Sequence, residues 1–339
     1  MILRKTPGRL GLFAALLLSF TVSSPARAES EEERDTVYML RDVEVTAARR
    51  PIATVQTISG KELQAMSTTS IADALKYFAG VQIKDFGGLG GMKTINVRSL
   101  GAEHVGVYID GVRLTNAQNG TVDLGKYSLS TLESVSLFNA NKLETCQAAS
   151  EYASGATVYL KTRRPTTDSL SVLGGVASFH TYRARLNAQC VRKGWSAFVD
   201  AEYLNSKGDF PFRYKSQYED TVGRRHNSDI RYSRVEGALF KGGFSSHVYA
   251  YVSERGCPGG IVRRLSDKYI NMGREWDTDL FVQGSYIHSF SSDHSVKFNM
   301  KYAHEYLRYN TDFPDNTVTA RYDNHYRQND AYASAAYSY

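Results

Sequence analysis

The segment GVQIKDFGGLGGMKTINVRSLGAEHVGVYIDGVRLTNAQNGTVD, residues 80–123, decides the fold of this chain. It consists of short β-prone runs separated by turns, and glycine occupies four of the five positions from Gly87 to Gly91. A dinucleotide-binding loop needs a helix directly after its glycines, whereas the β-prone run Thr94–Arg98 follows here. The cluster therefore favours a tight turn over a phosphate site. The strands predicted in this segment are Val81–Lys84, Thr94–Arg98 and His104–Asp110, with a turn at Asp110-Gly111.

Aromatic residues are unusually frequent, because the 339 residues include 23 Tyr and 15 Phe but only 7 Pro. Most of the aromatic residues lie after residue 170, where they recur at even spacing within strand-like runs. Such enrichment suits a sheet surface on which a ring is half buried while its hydroxyl stays in contact with water. The length of the chain suggests two domains.

The first 28 residues have the form of a secretory signal peptide. Basic residues at Arg4, Lys5 and Arg9 precede an apolar run at 10–22, and an Ala-x-Ala cleavage site ends at Ala28. The apolar run is too short for a permanent membrane-spanning helix. Without residues 1–28 the chain loses four of its 41 Lys and Arg, which leaves 37 against 35 Asp and Glu. This nearly neutral balance gives no support to nucleic-acid binding.

Two short helices are predicted ahead of the glycine-rich segment. Glu62 lies three residues after Ser59, and Asp73 lies three residues after Ser70. This is the spacing of a helix-capping box. After Ser70 the apolar residues recur with the period of a helix and predict one buried stripe without a chemical role. The stripe consists of Ile71, Ala74, Leu75 and Phe78, and further strands are predicted at Thr131–Phe138 and Thr157–Thr162.

After Pro165 the pattern changes to long runs in which apolar and polar residues alternate, as in Tyr182–Cys190 and Val296–Tyr302. This alternation over about ten residues is typical of transmembrane β-barrel strands, whose outer face meets lipid and whose inner face meets water. A soluble β-sandwich would turn its apolar face inward. Eight strands are predicted, at 168–178, 180–192, 194–208, 229–241, 243–254, 276–290, 294–307 and 326–339. The connections are short at 192–194, 241–243 and 291–293, and long at 209–228, 255–275 and 308–325.

Residue patterns that would indicate an enzyme or a metal centre are missing from the sequence. The eight histidines are scattered and show no metal-ligand spacing, and no serine lies in a Gly-x-Ser-x-Gly motif. We therefore expect no catalytic residues, no cofactor and no metal site. Glu219, Asp220 and Asp229 in one external loop are a weaker candidate for calcium, with a solvated loop as the favoured interpretation. Cys146, Cys190 and Cys257 are expected to be free thiols, and one disulfide is the alternative.

Several motifs of the N-terminal half resemble the plug domain of TonB-dependent outer-membrane receptors. They are Ala72-Asp73-Ala74-Leu75, Ala79-Gly80-Val81-Gln82-Ile83, the Gly87–Gly91 cluster, Ile95-Asn96-Val97-Arg98, Tyr108-Ile109-Asp110-Gly111-Val112-Arg113-Leu114 and Asp123-Leu124. The resemblance implies an α+β plug with a small mixed sheet and short helices, followed by antiparallel strands of a transmembrane β-barrel. A barrel wide enough to hold a plug needs about 22 strands, so the chain is expected to be the N-terminal part of a longer receptor. The expected divisions are a signal peptide at 1–28, a periplasmic tail at 29–50, the plug at 51–165 and barrel strands at 166–339.

The resemblance also implies roles for particular residues. Asp42-Val43-Glu44-Val45-Thr46-Ala47 resembles the Ton box, which adds as a strand to TonB, the partner of ExbB and ExbD; an ordinary first plug strand is the alternative. Arg98 is expected to hold the plug against the barrel wall, with Glu133 as a near partner or an exposed position as the alternative. The plug tips expected to touch substrate contain Phe86, Gly87, Gly88, Met92, Thr115, Asn116 and Gln118.

The resemblance implies an energy-coupled importer of a scarce, bulky ligand in the outer membrane. Gly208-Asp209-Phe210-Pro211-Phe212 and Ser253–Gly259 resemble the vitamin B12 receptor branch of Bacteroidota, which favours a corrinoid over a siderophore or haem. The alternative is an outer-membrane binding or signalling receptor that works with a surface lipoprotein. Contact with outer-membrane lipid is expected for both alternatives. Binding of nucleic acid is expected for neither.

Overall fold

The computed structural model describes residues 55–66, 70–116, 120–139, 146–147, 149–258, 273–311 and 321–339. The predicted signal peptide, the tail with the Ton box and the substrate candidate Gln118 lie outside these residues. The described part contains a small mixed sheet and a large antiparallel sheet. It contains no helix long and apolar enough to cross a membrane.

The small sheet has five strands in the order β1-β6-β7-β4-β5, and only the β4–β7 pair is parallel. Strands β2 and β3 form a separate antiparallel hairpin that carries the glycine-rich turn. Short 3-10 helices occupy Ala102–His104 and Ala149–Ala153. The elements of this unit, called the plug below, are β1 (Val55–Ser59), α1 (Gly60–Ala65), α2 (Ile71–Leu75), β2 (Val81–Asp85), β3 (Lys93–Val97), β4 (Val105–Ile109), β5 (Val112–Arg113), β6 (Leu132–Phe138) and β7 (Ala156–Thr162).

The predicted apolar stripe forms the centre of the plug core. Ile71, Leu75 and Phe78 are buried with strand residues such as Val97 and Leu160. Helix α2 begins as predicted, because the hydroxyl of Ser70 accepts a hydrogen bond from the Asp73 amide at 3.3 Å. Helix α1 forms, but the Ser59 side chain makes no capping hydrogen bond, so the capping box predicted there is wrong. Ser59 is instead the last residue of β1, whose backbone pairs with β6.

The large sheet contains eight long strands, which are the eight predicted strands with their ends shifted by a few residues. Each strand pairs antiparallel with the next long strand along the chain, so the sheet forms a meander. We call it the wall. Its strands are β8 (Ser169–Ala177), β9 (Thr181–Arg192), β10 (Trp195–Ser206), β13 (Ile230–Lys241), β14 (Phe244–Cys257), β15 (Gly273–Ser289), β16 (Ser295–Asn310) and β17 (Asp323–Ser338).

The two faces of the wall have opposite polarity. In β16 the apolar side chain of Met300 is 66% exposed, while its polar neighbours Asn299 and Lys301 are 6% and 8% exposed. The Lys301 ammonium donates to the backbone oxygen of Arg113 in the plug at 2.9 Å. The polar face therefore lies against the plug and the apolar face points outward, which confirms the predicted alternation.

The wall has a short-turn end and a long-loop end. At the long-loop end, the segment predicted as an open loop at 209–228 forms an additional hairpin of β11 (Pro211–Lys215) and β12 (Asp220–Arg224). The ring of Phe210 contacts Phe179 and Phe212 edge-on at centroid distances of 6.3 and 6.4 Å. This ring contact connects the hairpin to the turn between β8 and β9.

Candidate functional site

A buried lysine of the plug is bonded to two carboxylates of the wall. The Nζ atom of Lys126 lies 2.5 Å from Asp277 Oδ2 and 2.7 Å from Asp279 Oδ2, both on β15. It also lies 5.7 Å from the centre of the Tyr251 ring. Burial alone would lower the pKa of Lys126, but the carboxylates of Asp279 and Asp277 outweigh it and raise that pKa well above its usual value. Lys126 is therefore a permanent cation between plug and wall.

The backbone at Lys126 is held by a second charged group. Arg234 on β13 donates to the Lys126 carbonyl at 3.0 Å, and the Tyr249 hydroxyl donates to the same oxygen at 3.0 Å. Arg234 is itself paired with Glu202 at 2.6 Å and Glu236 at 3.3 Å. Each of these buried charges has an oppositely charged partner, although the two cations face four carboxylates. We refer to Lys126, Asp277, Asp279, Arg234, Glu202 and Glu236 as the buried charge network.

A third contact joins the Asp110-Gly111 turn to the wall. Asp110 accepts hydrogen bonds from the amide and hydroxyl of Thr162 at 2.8 and 2.6 Å, and its Oδ2 lies 3.6 Å from Nδ1 of His247. His247 is buried on β14, and its ring lies 5.6 Å from that of Phe281. The turn is thus held by plug and wall together.

Aromatic rings fill the interface beside the buried charge network. Tyr127 of the plug stacks on Tyr249 with 5.0 Å between ring centres, and Tyr249 stacks on Phe281 at the same distance. Burial raises the pKa of Tyr127 well above its usual value. The rings exclude water from around the ion pairs, which strengthens their electrostatic interactions.

The glycine-rich tip of the plug lies at the long-loop end of the wall. Its carbonyl at Gly90 accepts a hydrogen bond from Arg255, which is also paired with Glu275 at 2.5 Å. A side chain at Gly91 would place its Cβ 2.2 Å from the carbonyl oxygen of Gly87, so close backbone approach requires glycine here. A cavity of about 250 Å³ separates tip and wall, and it is lined by Phe86, Gly87, Gly90, Gly91, Met92, Ser228, Arg255, Gly256, Cys257 and Pro258.

The structure brings only some of the predicted substrate residues together. Phe86, Gly87 and Met92 line the tip cavity, and the Phe86 side chain is 62% exposed. Gly88 belongs to the same turn but does not line this cavity. Thr115 does not line the tip cavity, and its hydroxyl donates a hydrogen bond to the Asp330 carboxylate of β17 at 3.3 Å. Asn116 is the next residue in the chain.

The predicted pairing of Arg98 with Glu133 is not formed. Arg98 is exposed and has no ion pair within the described part of the chain. Glu133 pairs instead with Lys161 on the neighbouring strand at 3.1 Å, and both side chains are exposed. A contact of Arg98 with barrel strands beyond this chain stays a prediction. The sequence offered one unused signal for the contact of Lys126 with the wall, because Asp277 and Asp279 lie on the same face of a strand that the alternation predicts to cross a membrane.

The external carboxylates considered for calcium are occupied by arginines. Asp220 pairs with Arg213 and Asp229 with Arg274, each at 2.8 Å. The described residues contain no cluster of three or more potential metal ligands. The three cysteines are free thiols.

Comparison with known proteins agrees with this architecture. Residues 47–145 match the family described as TonB-dependent Receptor Plug Domain. The structure is similar to the ferric citrate transporter FecA without ligand (TM-score 0.57, 16% identity, 77% of this chain and 41% of that chain). It is also similar to the iron transporter FrpB from Neisseria meningitidis (TM-score 0.60, 10% identity, 83% of this chain and 45% of that chain). A third similar structure is the copper transporter OprC (TM-score 0.55, 12% identity, 84% of this chain and 43% of that chain).

This chain spans less than half the length of each of these structures. The matched family and the similar structures are receptors and transporters, not enzymes. Receptors with this plug are β-barrels of the outer membrane. The chain therefore carries a TonB-dependent receptor plug domain, followed by antiparallel strands with the fold of the barrels of such receptors.

Proposed function

We propose that this chain is the N-terminal part of an outer-membrane receptor that imports a bulky ligand when TonB pulls on the plug. The observation that carries the proposal is the buried charge network around Lys126. A plug that must move needs an interface with the wall that is stable at rest but can take up water during movement. Paired charges meet this need because each charge can exchange its partner for water. An interface made only of apolar side chains would expose hydrophobic surface whenever the plug moved.

Coupling to TonB is assigned to Asp42–Ala47, which lies ahead of the first plug strand, β1. Val43, Val45 and Thr46 are β-branched, and an extended segment of this kind can add as a strand to the sheet of a partner. TonB, acting with ExbB and ExbD, is the proposed partner.

A corrinoid such as vitamin B12 is the proposed ligand. The two segments that resemble corrinoid receptors are Gly208–Phe212 and Ser253–Gly259. The described residues of both lie at the long-loop end, where Asn227 and Ser228 connect them. Ser228 donates to the Gly208 carbonyl at 2.6 Å, and Asn227 donates to the Cys257 carbonyl at 3.1 Å. Both segments thus border the end at which the exposed ring of Phe86 lies.

An iron chelate is the second candidate ligand, because the similar structures include a ferric citrate transporter and an iron transporter. Calorimetry of the intact receptor with cobalamin, haem and a ferric siderophore would choose among the candidates. Binding to none of the three would favour the rival class, a binding or signalling receptor that works with a surface lipoprotein.

The Val45→Pro variant tests the coupling step. Proline removes a backbone N–H and fixes φ, so we expect uptake to be abolished while ligand affinity is unchanged. Val45→Thr is the matched control, because threonine keeps both the N–H and the β-branch. Normal uptake by Val45→Pro would refute the assignment of this segment to TonB binding.

A further inference from the structure

Three large side chains form a row on the outward face of the wall at its short-turn end. The strand register places Trp195 of β10 directly between Arg192 of β9 and Lys241 of β13. All three are exposed, and Nζ of Lys241 lies 4.6 Å from the centre of the Trp195 ring. Lys193 occupies the adjoining turn and is also exposed. We call Arg192, Lys193 and Lys241, with Trp195, the basic rim.

The basic rim has more positive than negative charge. Arg192 is paired with Asp168, but neither Lys193 nor Lys241 has an ion pair among the residues that the structure describes. The opposite end of the wall differs. There Arg308 lies 5.2 Å from the ring centre of Trp276, yet Arg308 is itself paired with Asp323 at 2.8 Å. The outward arginines Arg231 and Arg274 at that end are likewise paired with Glu254.

The row continues into aromatic side chains. Lys241 is paired in register with Phe244, Phe244 with Tyr286, and Tyr286 with Phe298. Aromatic rings collect in this way at the level of lipid head groups, where one part of a ring is apolar and another part is wet. The two lysines therefore stand at head-group level beside a lipid-facing surface, where an anionic head group is the complementary charge.

We infer that the basic rim binds the phosphate of an anionic phospholipid in the leaflet that surrounds the short-turn end of the wall. The inference rests on the proposed function, because it requires the outward face of the wall to lie in a membrane. The free ammonium groups of Lys193 and Lys241 supply donors to the phosphate, and Trp195 supplies a surface for the adjoining chain. A soluble phosphate ion has no acyl chain that could pack against the Trp195 ring.

Quenching by brominated lipids tests the inference in the intact protein reconstituted in vesicles. The difference in fluorescence between the unsubstituted protein and Trp195→Phe gives the signal of Trp195. The corresponding difference for Trp276→Phe gives the signal of Trp276 at the opposite end of the wall. We expect brominated phosphatidylglycerol to quench Trp195 more strongly than brominated phosphatidylcholine at low ionic strength. The selectivity should fall roughly five-fold for each of Lys193→Gln and Lys241→Gln. Lys215→Gln in the external hairpin is the matched control and should change nothing.

The outcomes separate the inference from the proposed function. Equal quenching of Trp195 by the two lipids, or a selectivity that survives both lysine substitutions, would overturn the basic rim as an anionic lipid site. A Trp195 signal that no brominated lipid quenches would instead show that the outward face is not in the membrane, and the proposed function would fail with it.

Discussion

Replacing Lys126 by methionine should loosen the plug from the wall. The substitution keeps most of the apolar stem and removes the charge, which leaves Asp277 and Asp279 without their cation. The Lys126 side chain is only 8% exposed and the Asp277 side chain only 4%, so water cannot replace the ammonium group without a rearrangement. Removing one partner of a buried ion pair costs about 3–5 kcal/mol. The population of the undocked plug should therefore rise roughly a hundred-fold to several-thousand-fold.

Native-state hydrogen exchange measures this change. Leu124 is fully buried two residues before Lys126, and its amide donates to the Lys93 carbonyl within the plug at 2.9 Å. We expect this amide to exchange faster when the wall no longer packs against the Lys126 segment. We expect faster exchange in Lys126→Met and increased entry of small antibiotics through the outer membrane. Lys161→Met is the matched control, because the exposed Lys161–Glu133 pair contributes only about 0–1 kcal/mol.

Neutralising the carboxylates as well tests the physical reason. In a variant that combines Lys126→Met with Asp277→Asn and Asp279→Asn, no charge is left uncompensated, so much of the lost protection should return. Two results would contradict this reason: a Leu124 amide that exchanges no faster in Lys126→Met than in Lys161→Met, or faster exchange in the triple variant than in Lys126→Met. Either result would show that Lys126 does not hold the plug by compensating buried carboxylates.

The pH dependence follows from the raised pKa of Lys126. A group whose pKa is raised on folding contributes stability that is fully present below its unfolded value of about 10.4 and is lost as pH rises through the folded value. After correction for intrinsic exchange rates, protection of Leu124 should therefore stay constant from about pH 8 to about pH 9. A loss of protection in that range would contradict the paired state of the lysine.

Three further predictions concern plug residues. Gly91→Ala should distort the tip, cost about 1–3 kcal/mol and weaken ligand binding, whereas Gly174→Ala, which has open space around it, should be nearly neutral in thermal unfolding. The Phe86→Ala and Asn116→Ala double variant should lower ligand affinity in calorimetry by about 1–2 kcal/mol with an unchanged unfolding temperature. Arg98→Ala should raise exchange across β3 and β4 only if barrel strands beyond this chain bury the guanidinium, so unchanged exchange and permeability would exclude the latch role.

The sequence predicted each long strand because the alternation of apolar and polar residues is a local property that a short window reveals. It predicted less about the long-loop end. The strands β11 and β12 pair with each other, but the ring contact of Phe210 with Phe179 joins the hairpin to residues about thirty positions away, and no local pattern reports such a contact. The glycine cluster was correctly interpreted as a turn, and the close approach that requires glycine at position 91 is to the backbone of Gly87 within that same turn.

The identity of the plug-to-wall contact was decided by the tertiary structure. Arg98 and Glu133 were reasonable candidates by residue type, yet Glu133 pairs with Lys161 across two neighbouring strands. Lys126 and Asp277 are separated by about 150 residues, and only the wrapping of the wall around the plug places their charges 2.5 Å apart. The strand pattern and the outward apolar face could be predicted without the structure, because both follow from a period of two residues in the sequence. Which buried charges meet depends on how the plug packs against the wall, and that information is not local.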